Sequence, residues 1–476
     1  MNNYPIIPGL GNLQGRLAFN NSYFLYPALL NADFGFISGK GYHLASGLLL
    51  LALFVQILQS LFKVFKKKTK IRLYDLFNII FFYPVLTQGL NIYYFSSPSP
   101  DIPLFILIII LGSRLFLFLE EESLRKKENL GLIIILLAFV GITLKLSFLA
   151  FGIATFLLVF LVWFYQVGLK SLSKYRKTFL SMMLIGVLSF GIWLARGIIL
   201  SGYLVYPSPF FSFAFEWQIP KASVVFMSRL IQGWARLPGP DWAQGLTGWT
   251  WMGSWLNRLI SKMEMITLMV MTITSFITLA LINKKSSLAT KDKQIWLFFL
   301  PVITTLTYWF FLVPDLRFGR PYFWLLGAGA AALAIKRVIS FKKLKKKILN
   351  KVLLIYIFFT LFELLIIGEK NFIVSLYKGG SFNEAIGQLK IKEDFLVTKP
   401  GKDKGFYPAP EVELNQYLTD SGLVIFYPGE DNQCWDRELL CTPYPSRNLA
   451  LREKGRLRRG FKVIPKDDNL FVGVKP

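Results

Sequence analysis

The chain contains a single histidine, His43, and only two cysteines, Cys434 and Cys441. A metal centre built on imidazole and thiolate therefore has no ligand set, and the spacing in "CWDRELLC" does not suit a zinc site. Acids are also in short supply, with 28 Asp and Glu against 54 Lys and Arg. Charged residues make up 17% of the chain, where a soluble domain carries about 25%. The opening stretch, "MNNYPIIPGLGNLQGRLAFNNSYF", lacks the basic start and apolar run of a signal peptide, and Pro5, Pro8 and Gly9 break any early helix. Neither an internal repeat nor a low-complexity tract is present.

Apolar residues are abundant. The chain is 54% hydrophobic, with 45 Phe and a mean hydropathy of +0.48. Apolar runs of about 20 residues, separated by short charged loops, predict a polytopic helical membrane protein. Ten spans are expected: 43–62, 73–95, 102–119, 130–144, 146–168, 179–200, 263–283, 295–313, 321–335 and 351–368. The fourth runs almost directly into the fifth, which predicts a tight hairpin around Lys145. The fourth and ninth are short for an upright crossing. The expected fold class is an all-α polytopic membrane protein of about ten transmembrane helices, with a small exported α+β C-terminal domain.

A net charge of +26 on a soluble protein would point to nucleic acid. Here position decides. Segments 63–72, 120–129, 169–178, 284–293 and 336–351 are every second loop and carry 25 of the 54 basic residues. The alternate loops, such as "SSPSPD" and "PDLRFGRP", are lightly charged. The positive-inside rule then places the basic loops in the cytosol and both termini on the exported side of a bacterial inner membrane, with no nucleic-acid partner. The exported parts are 1–42, a Trp-rich loop 201–262 within the transmembrane domain 43–368, and a C-terminal domain 369–476. In that last domain "PEVELNQYLTDSG" reads as a helix, "LVIFYP" as a strand and "FKVIPKDDNLFVGV" as a hairpin turning at "KDDN". An oxidising compartment would allow Cys434 and Cys441 to pair; two free thiols are the alternative.

Ionisable residues at membrane depth are functional candidates. Lys145 in "ITLKLSFLAF", Arg196 in "IWLARGIIL" and Arg317 and Arg320 in "PDLRFGRP" all lie toward the exported side, against the charge bias. A phosphate or pyrophosphate headgroup would account for such a set. For any one of them, snorkelling to the interface or pairing with a bundle acid is the competing reading. The acids expected on that face are Asp33, Asp101, Glu216, Asp241 and Asp315. A general base needs one carboxylate held beside a hydroxyl. Asp101, pinned by Pro100 and Pro103, suits that role; capping the third span is the competing reading, and an Asp before "IP" is a good helix start. Loop 201–262 holds six of the twelve Trp, among them Trp217, Trp249 and Trp251. These suit a membrane-interface belt or aromatic faces for sugar rings.

Together, "SSPSPDIP", "LKLSFLAF" and the exported-side arginines resemble the GT-C superfamily of polytopic glycosyltransferases, across residues 1–368. The stretches "PGLGNLQGRLAFNNSYF" and "GEDNQCWDRELLCTPYP" look like those of a family of large bacterial membrane proteins within or near that group. The resemblance implies a polyprenyl-phosphate-linked sugar donor on the exported face, a glycan or lipid acceptor, and a place in cell-envelope glycan assembly. It would put the donor phosphate on Lys145, Arg196, Arg317 and Arg320, the base at Asp101 or Asp33, and the acceptor on Trp217, Trp249 and Trp251. Such enzymes carry their base soon after a first transmembrane helix. No helix precedes residues 1–42 here, so the resemblance implies a chain truncated before Met1. Some members bind a divalent metal at an acid placed like Asp101; one Asp does not make that site, and no other cofactor is implied. An O-antigen polymerase or ligase, and a transporter or non-catalytic assembly protein, are the competing classes.

Overall fold

Hydrocarbon offers backbone amides no partner, so apolar stretches within it fold as helices. A computed structural model describes residues 6–30, 41–66, 71–89, 99–283, 294–341, 348–361, 412–429, 433–434 and 440–473; Asp33 lies outside them. The helices are α1 (Leu25–Leu30), α2 (Gly41–Phe65), α3 (Leu73–Ile80), α4 (Phe82–Gly89), α5 (Asp101–Glu120), α6 (Leu124–Leu144), α7 (Leu149–Ser201), α8 (Lys221–Arg236), α9 (Met252–Ile260), α10 (Met263–Asn283), α11 (Phe299–Leu312), α12 (Leu316–Phe341) and α13 (Ile348–Leu361). Among the described residues, seven stretches are long and apolar enough to cross a membrane: Leu44–Phe65, Asp101–Glu120, Leu124–Leu144, Leu146–Gln166, Met183–Ser201, Met263–Ile282 and Leu316–Ser340. The protein is thus mostly helical and multi-pass. Shorter apolar helices occupy Leu73–Leu86, Trp296–Leu312 and Ile348–Leu361. The stretches expected to be short at 130–144 and 321–335 are longer, because flanking charged residues join helices of 21 and 26 residues. The stretch 73–95 is instead interrupted at Phe81.

The 53 residues of α7 contain two of the seven stretches. A straight helix of that length would reach about 80 Å, far beyond a hydrocarbon core of about 30 Å. It is not straight. The Phe139 ring of α6 lies 5.9 Å from that of Phe156, and the same ring would stand 3.1 Å from a Cβ at Gly186. In a straight helix Phe156 and Gly186 would be about 45 Å apart. The segment therefore doubles back between them, in the interval that holds the basic residues 169–178. These were expected as a loop; the chain is helical on both sides of the bend, so the reversal is a sharp break within α7 rather than an open loop.

Helix α5 has no polar face, and a helix apolar all round belongs in the interior. It is buried along nearly its whole length. Phe116 packs against Phe77 and Phe298 at 4.8 and 3.9 Å between ring centroids. One polar knot crosses this core. Asn78 donates to Ser60 (3.1 Å) and accepts from Ser113 (2.6 Å) and Gln56 (3.2 Å), tying α2, α3 and α5.

The C-terminal strands are β1 (Leu414–Leu418), β2 (Val424–Pro428), β3 (Leu449–Leu451) and β4 (Phe461–Val463). They pair antiparallel as β1–β2 and β3–β4. The helix expected in "PEVELNQYLTDSG" is therefore corrected to a strand and turn. Gly422, at φ +78°, and the Thr419 hydroxyl, which accepts from the Leu423 amide at 3.0 Å, close a tight reversal that sends the chain back alongside itself. The hairpin expected in "FKVIPKDDNLFVGV" is also corrected, because Phe461–Val463 pairs with β3 rather than with its own sequel. Cys434 and Cys441 form a disulfide, and Phe426 of β2 bonds the backbone of Leu440 and Thr442 beside it.

The described parts of 1–42 and 369–476 share a core. Ile7 and Leu13 pack with Ile425, Leu449 and Phe461. Gly9, at φ +65°, donates its amide to Ile199 O (2.8 Å), and a Cβ there would stand 2.3 Å from Phe461 O. Phe461 N donates to Pro8 O, and Gly15 N to Gly473 O. Phe461 is fully buried, so Phe461→Ala is expected to cost about 3–5 kcal/mol locally and to expose the sites on both sides of this joint to protease together, read by limited proteolysis in detergent.

Glu216 closes the same joint from the 201–262 loop, accepting from Arg452 at 2.6 Å with Lys462 at 3.6 Å. The Arg452 hydrogen bond holds its carboxyl below the usual range. This contact is complete above the free carboxylate's pKa and is lost as pH falls through the lowered one. Protease protection of residues 440–473 should fall over that acidic window in the wild type, and Glu216→Gln should remove that pH dependence.

Candidate functional site

The corner between α6 and α7 sets the first charge. Lys145 ends α6 in an extended conformation, and Phe148 turns under it into the space left by Gly141, where a Cβ would meet the ring at 2.3 Å. The expected hairpin at Lys145 is therefore present, and it depends on a glycine. An ammonium at a helix C-terminus also meets the negative end of the helix dipole.

Asp101 opens α5, and among the described residues its carboxylate is met by side-chain cations rather than by the amides of its own first turn. It forms an ion pair and hydrogen bond with Lys145. Arg317, in the first turn of α12, approaches the same carboxylate at 3.8 Å. Phe318 lies beneath both cations, with its ring centroid 4.4 Å from the Lys145 nitrogen and 4.8 Å from the Arg317 guanidinium carbon. Burial pushes the Lys145 ammonium below the usual lysine range, and Asp101 pulls it back. Asp101 and Lys145 are about one-fifth exposed, whereas Arg317 is 59% exposed. The cluster thus has a sheltered pair and an accessible cation.

The Arg317 backbone is fixed by its neighbours. Asp315 accepts from the Arg317 amide at 2.8 Å, as an N-cap does. Trp255 and Trp309 donate their indole N–H to the Pro314 and Asp315 carbonyls at 2.6 and 2.7 Å.

The other two expected phosphate ligands have different partners. Arg320 donates to Glu264 at the start of α10, at 2.6 and 2.7 Å, and Trp324 donates to the same carboxylate at 2.7 Å. Arg196 donates to Asn20 Oδ1 at 2.7 Å and to the Asn21 carbonyl at 3.4 Å, which fastens the N-terminal segment to α7. The aromatic trio divides as well. Trp217 stacks on Phe215 at 4.4 Å under the Arg452 guanidinium, in the joint with the C-terminal strands. Trp249 and Trp251 lie together against Phe310. Trp249 is exposed, but Trp251 is buried and offers no free face, which corrects its assignment to an acceptor.

Sequence reading passed over Glu264 and Phe318. Glu264 opens an apolar run in "SKMEMITL", the same signal that drew attention to Asp101. Phe318 had no signal of its own. Among the described residues no group of three or more His, Cys, Asp or Glu could hold a metal ion, and Asp101 is engaged by two cations, so its surroundings do not fit a divalent metal.

Fold and site together define a polytopic helical membrane protein in which three helix ends gather one carboxylate and two cations at a single end of the bundle. The chain belongs to a family described as a domain of unknown function (DUF8201), which matches residues 1–324. That match takes in Asp101, Lys145, Glu264, Arg317 and Arg320 and stops before the C-terminal strands. No curated protein and no solved structure matches the chain.

Removing Asp101 takes from Lys145 its carboxylate partner, and removing Lys145 leaves Asp101 only the longer contact with Arg317. Asp101→Ala and Lys145→Met are each expected to lower stability by about 2 kcal/mol, and the double variant by about 1 kcal/mol less than their sum. Thermal unfolding of the four proteins in one detergent measures the coupling.

Proposed function

We propose that the protein is a GT-C-type glycosyltransferase that uses a polyprenyl-phosphate-linked sugar at the exported face of a bacterial inner membrane. The observation that supports this best is the convergence of Asp101, Lys145 and Arg317 from three helix ends. In this reading the three shorter apolar helices complete ten crossings, the Asp101 end of the bundle is exported, and so are both termini and the C-terminal strands. The alternation of basic loops supports that orientation.

The donor phosphate binds Arg317, the accessible cation, and draws Lys145 away from Asp101. The freed carboxylate takes the proton of the acceptor hydroxyl. The acceptor oxygen bonds to the anomeric carbon as the bond from that carbon to the phosphate oxygen breaks. The electron pair leaves on the polyprenyl phosphate, stabilised by Lys145 and Arg317. Trp249, exposed beside the same end, offers the acceptor an aromatic face. Arg320, held by Glu264, is a positioning residue that sets the first turn of α12 against α10.

Membranes carrying the protein should transfer label from a panel of radiolabelled polyprenyl-phosphate sugars to a lipid-linked glycan. Arg317→Ala should reduce transfer by about 100-fold or more at unchanged protein level. Wild-type labelling by Arg317→Ala would refute the donor-site assignment, and uptake of a sugar into vesicles without labelling would favour a transporter.

A further inference from the structure

Helix α9 (Met252–Ile260) stands just before α10, separated from it by Ser261 and Lys262. At 1.5 Å per residue the 21 residues of α10 rise about 31 Å, which already spans a hydrocarbon core of about 30 Å. Helix α9 is therefore surplus to that crossing, yet it carries three distinct faces. Trp255 and Leu259 point into the protein. Ser254 and Asn257 form a polar exposed edge. Met252, Leu256 and Ile260, at i, i+4 and i+8, form an apolar exposed stripe at 37, 46 and 44%. Standing upright in water, that stripe would cost free energy with nothing to cover it.

The stripe does not end with the helix. It continues through Met263, 74% exposed, into Ile266, Val270 and Ile273, the outward face of α10. On a membrane-crossing helix that face meets lipid, so the two elements present one continuous apolar surface. The inner side of α9 is bound to the site, since Trp255 donates to Pro314 O and Arg258 donates to Arg236 O at 2.7 Å.

We infer that α9 lies in the plane of the membrane at the Asp101 face, with Met252, Leu256 and Ile260 sunk into the phospholipid leaflet. An amphipathic helix of this kind holds its apolar stripe at the boundary between headgroups and acyl chains. The Val313–Asp315 connection, and with it the first turn of α12 that bears Arg317, is thereby anchored to the leaflet through Trp255, beside the place where a membrane-borne molecule would arrive.

The test uses the full chain, with its disulfide intact, in phosphatidylcholine vesicles. Leu256→Cys, Met252→Cys and Ser254→Cys are each labelled with an environment-sensitive fluorophore. Doxyl-labelled phospholipid should quench the labels at 256 and 252 several-fold more than the label at 254, and aqueous iodide should show the reverse order. Equal iodide quenching at all three positions would overturn the inference by placing the stripe in water. Shielding of 252 and 256 from both quenchers, with cross-linking between chains, would overturn it in favour of a second copy.

Discussion

A helix that is apolar on every side can slide or rotate among apolar neighbours at little cost, because no contact distinguishes one register from the next. Helix α5 faces this problem at the centre of the bundle, where the Ser113–Asn78 bond marks its middle and carboxylates mark its two ends. Asp101 is held by Lys145 and approached by Arg317. Glu120 accepts from Lys336 at 2.6 Å and from the amides of Leu73 and Tyr74 at 3.0 and 3.3 Å. The two acids stand about 28 Å apart along the axis, close to the roughly 30 Å of a hydrocarbon core. Ion pairs at both ends therefore fix the helix along the membrane normal, and the aromatic packing around Phe116 acquires a definite register.

The same constraint explains why the chemistry gathers where it does. Charges are expensive within hydrocarbon and affordable at its edges, so each charged side chain of the site comes from a helix terminus. Asp101 and Arg317 open helices, Lys145 closes one, and Glu264, at one more opening, holds Arg320 near the start of the Arg317 helix. No long loop is needed to assemble them. The short Val313–Asp315 connection is held by two indole donors, which leaves Arg317 a fixed backbone and an exposed, extensible side chain. That combination suits capture of an anion better than a rigid buried arginine would.

Much of the bundle could be read from the residues alone, because apolar length is a local property. The turn at Lys145 was legible from a lysine between two apolar runs, Arg317 from a basic residue placed against the positive-inside bias, and Asp101 from a scarce acid pinned between Pro100 and Pro103. Arg196 and Arg320 carried the same signal but have other partners. Those partners are Asn20 and Glu264, 176 and 56 residues away, and single-residue reasoning cannot see across such distances. The "LNQYL" segment failed for a related reason. Its pattern fits a helix or a strand, and the choice is made by the turn that follows and the partner strand that the turn delivers. Asp33 lies outside the described residues.

The N-terminal segment and the C-terminal strands depend on one another in the same long-range way. Ile7 and Leu13 fall within the family match, yet they are covered by Ile425, Leu449 and Phe461, which lie beyond it. Burying each of those two aliphatic side chains is worth about 1.5–3 kcal/mol, so the N-terminal segment requires some cover in that position. From there the chain runs to Asn20, which binds Arg196, and to Ser22, whose hydroxyl meets Thr143 at 2.9 Å, two residues before Lys145. The C-terminal strands thus lean on the segment that braces the end of α6. Contiguity of this kind supplies a route between the strands and the Asp101–Lys145 pair, and energetic coupling along it requires that the segment have two arrangements that both ends can bias. The Gly9 and Gly15 backbone bonds, made to α7 and to Gly473, are the contacts that any second arrangement of this segment would have to exchange.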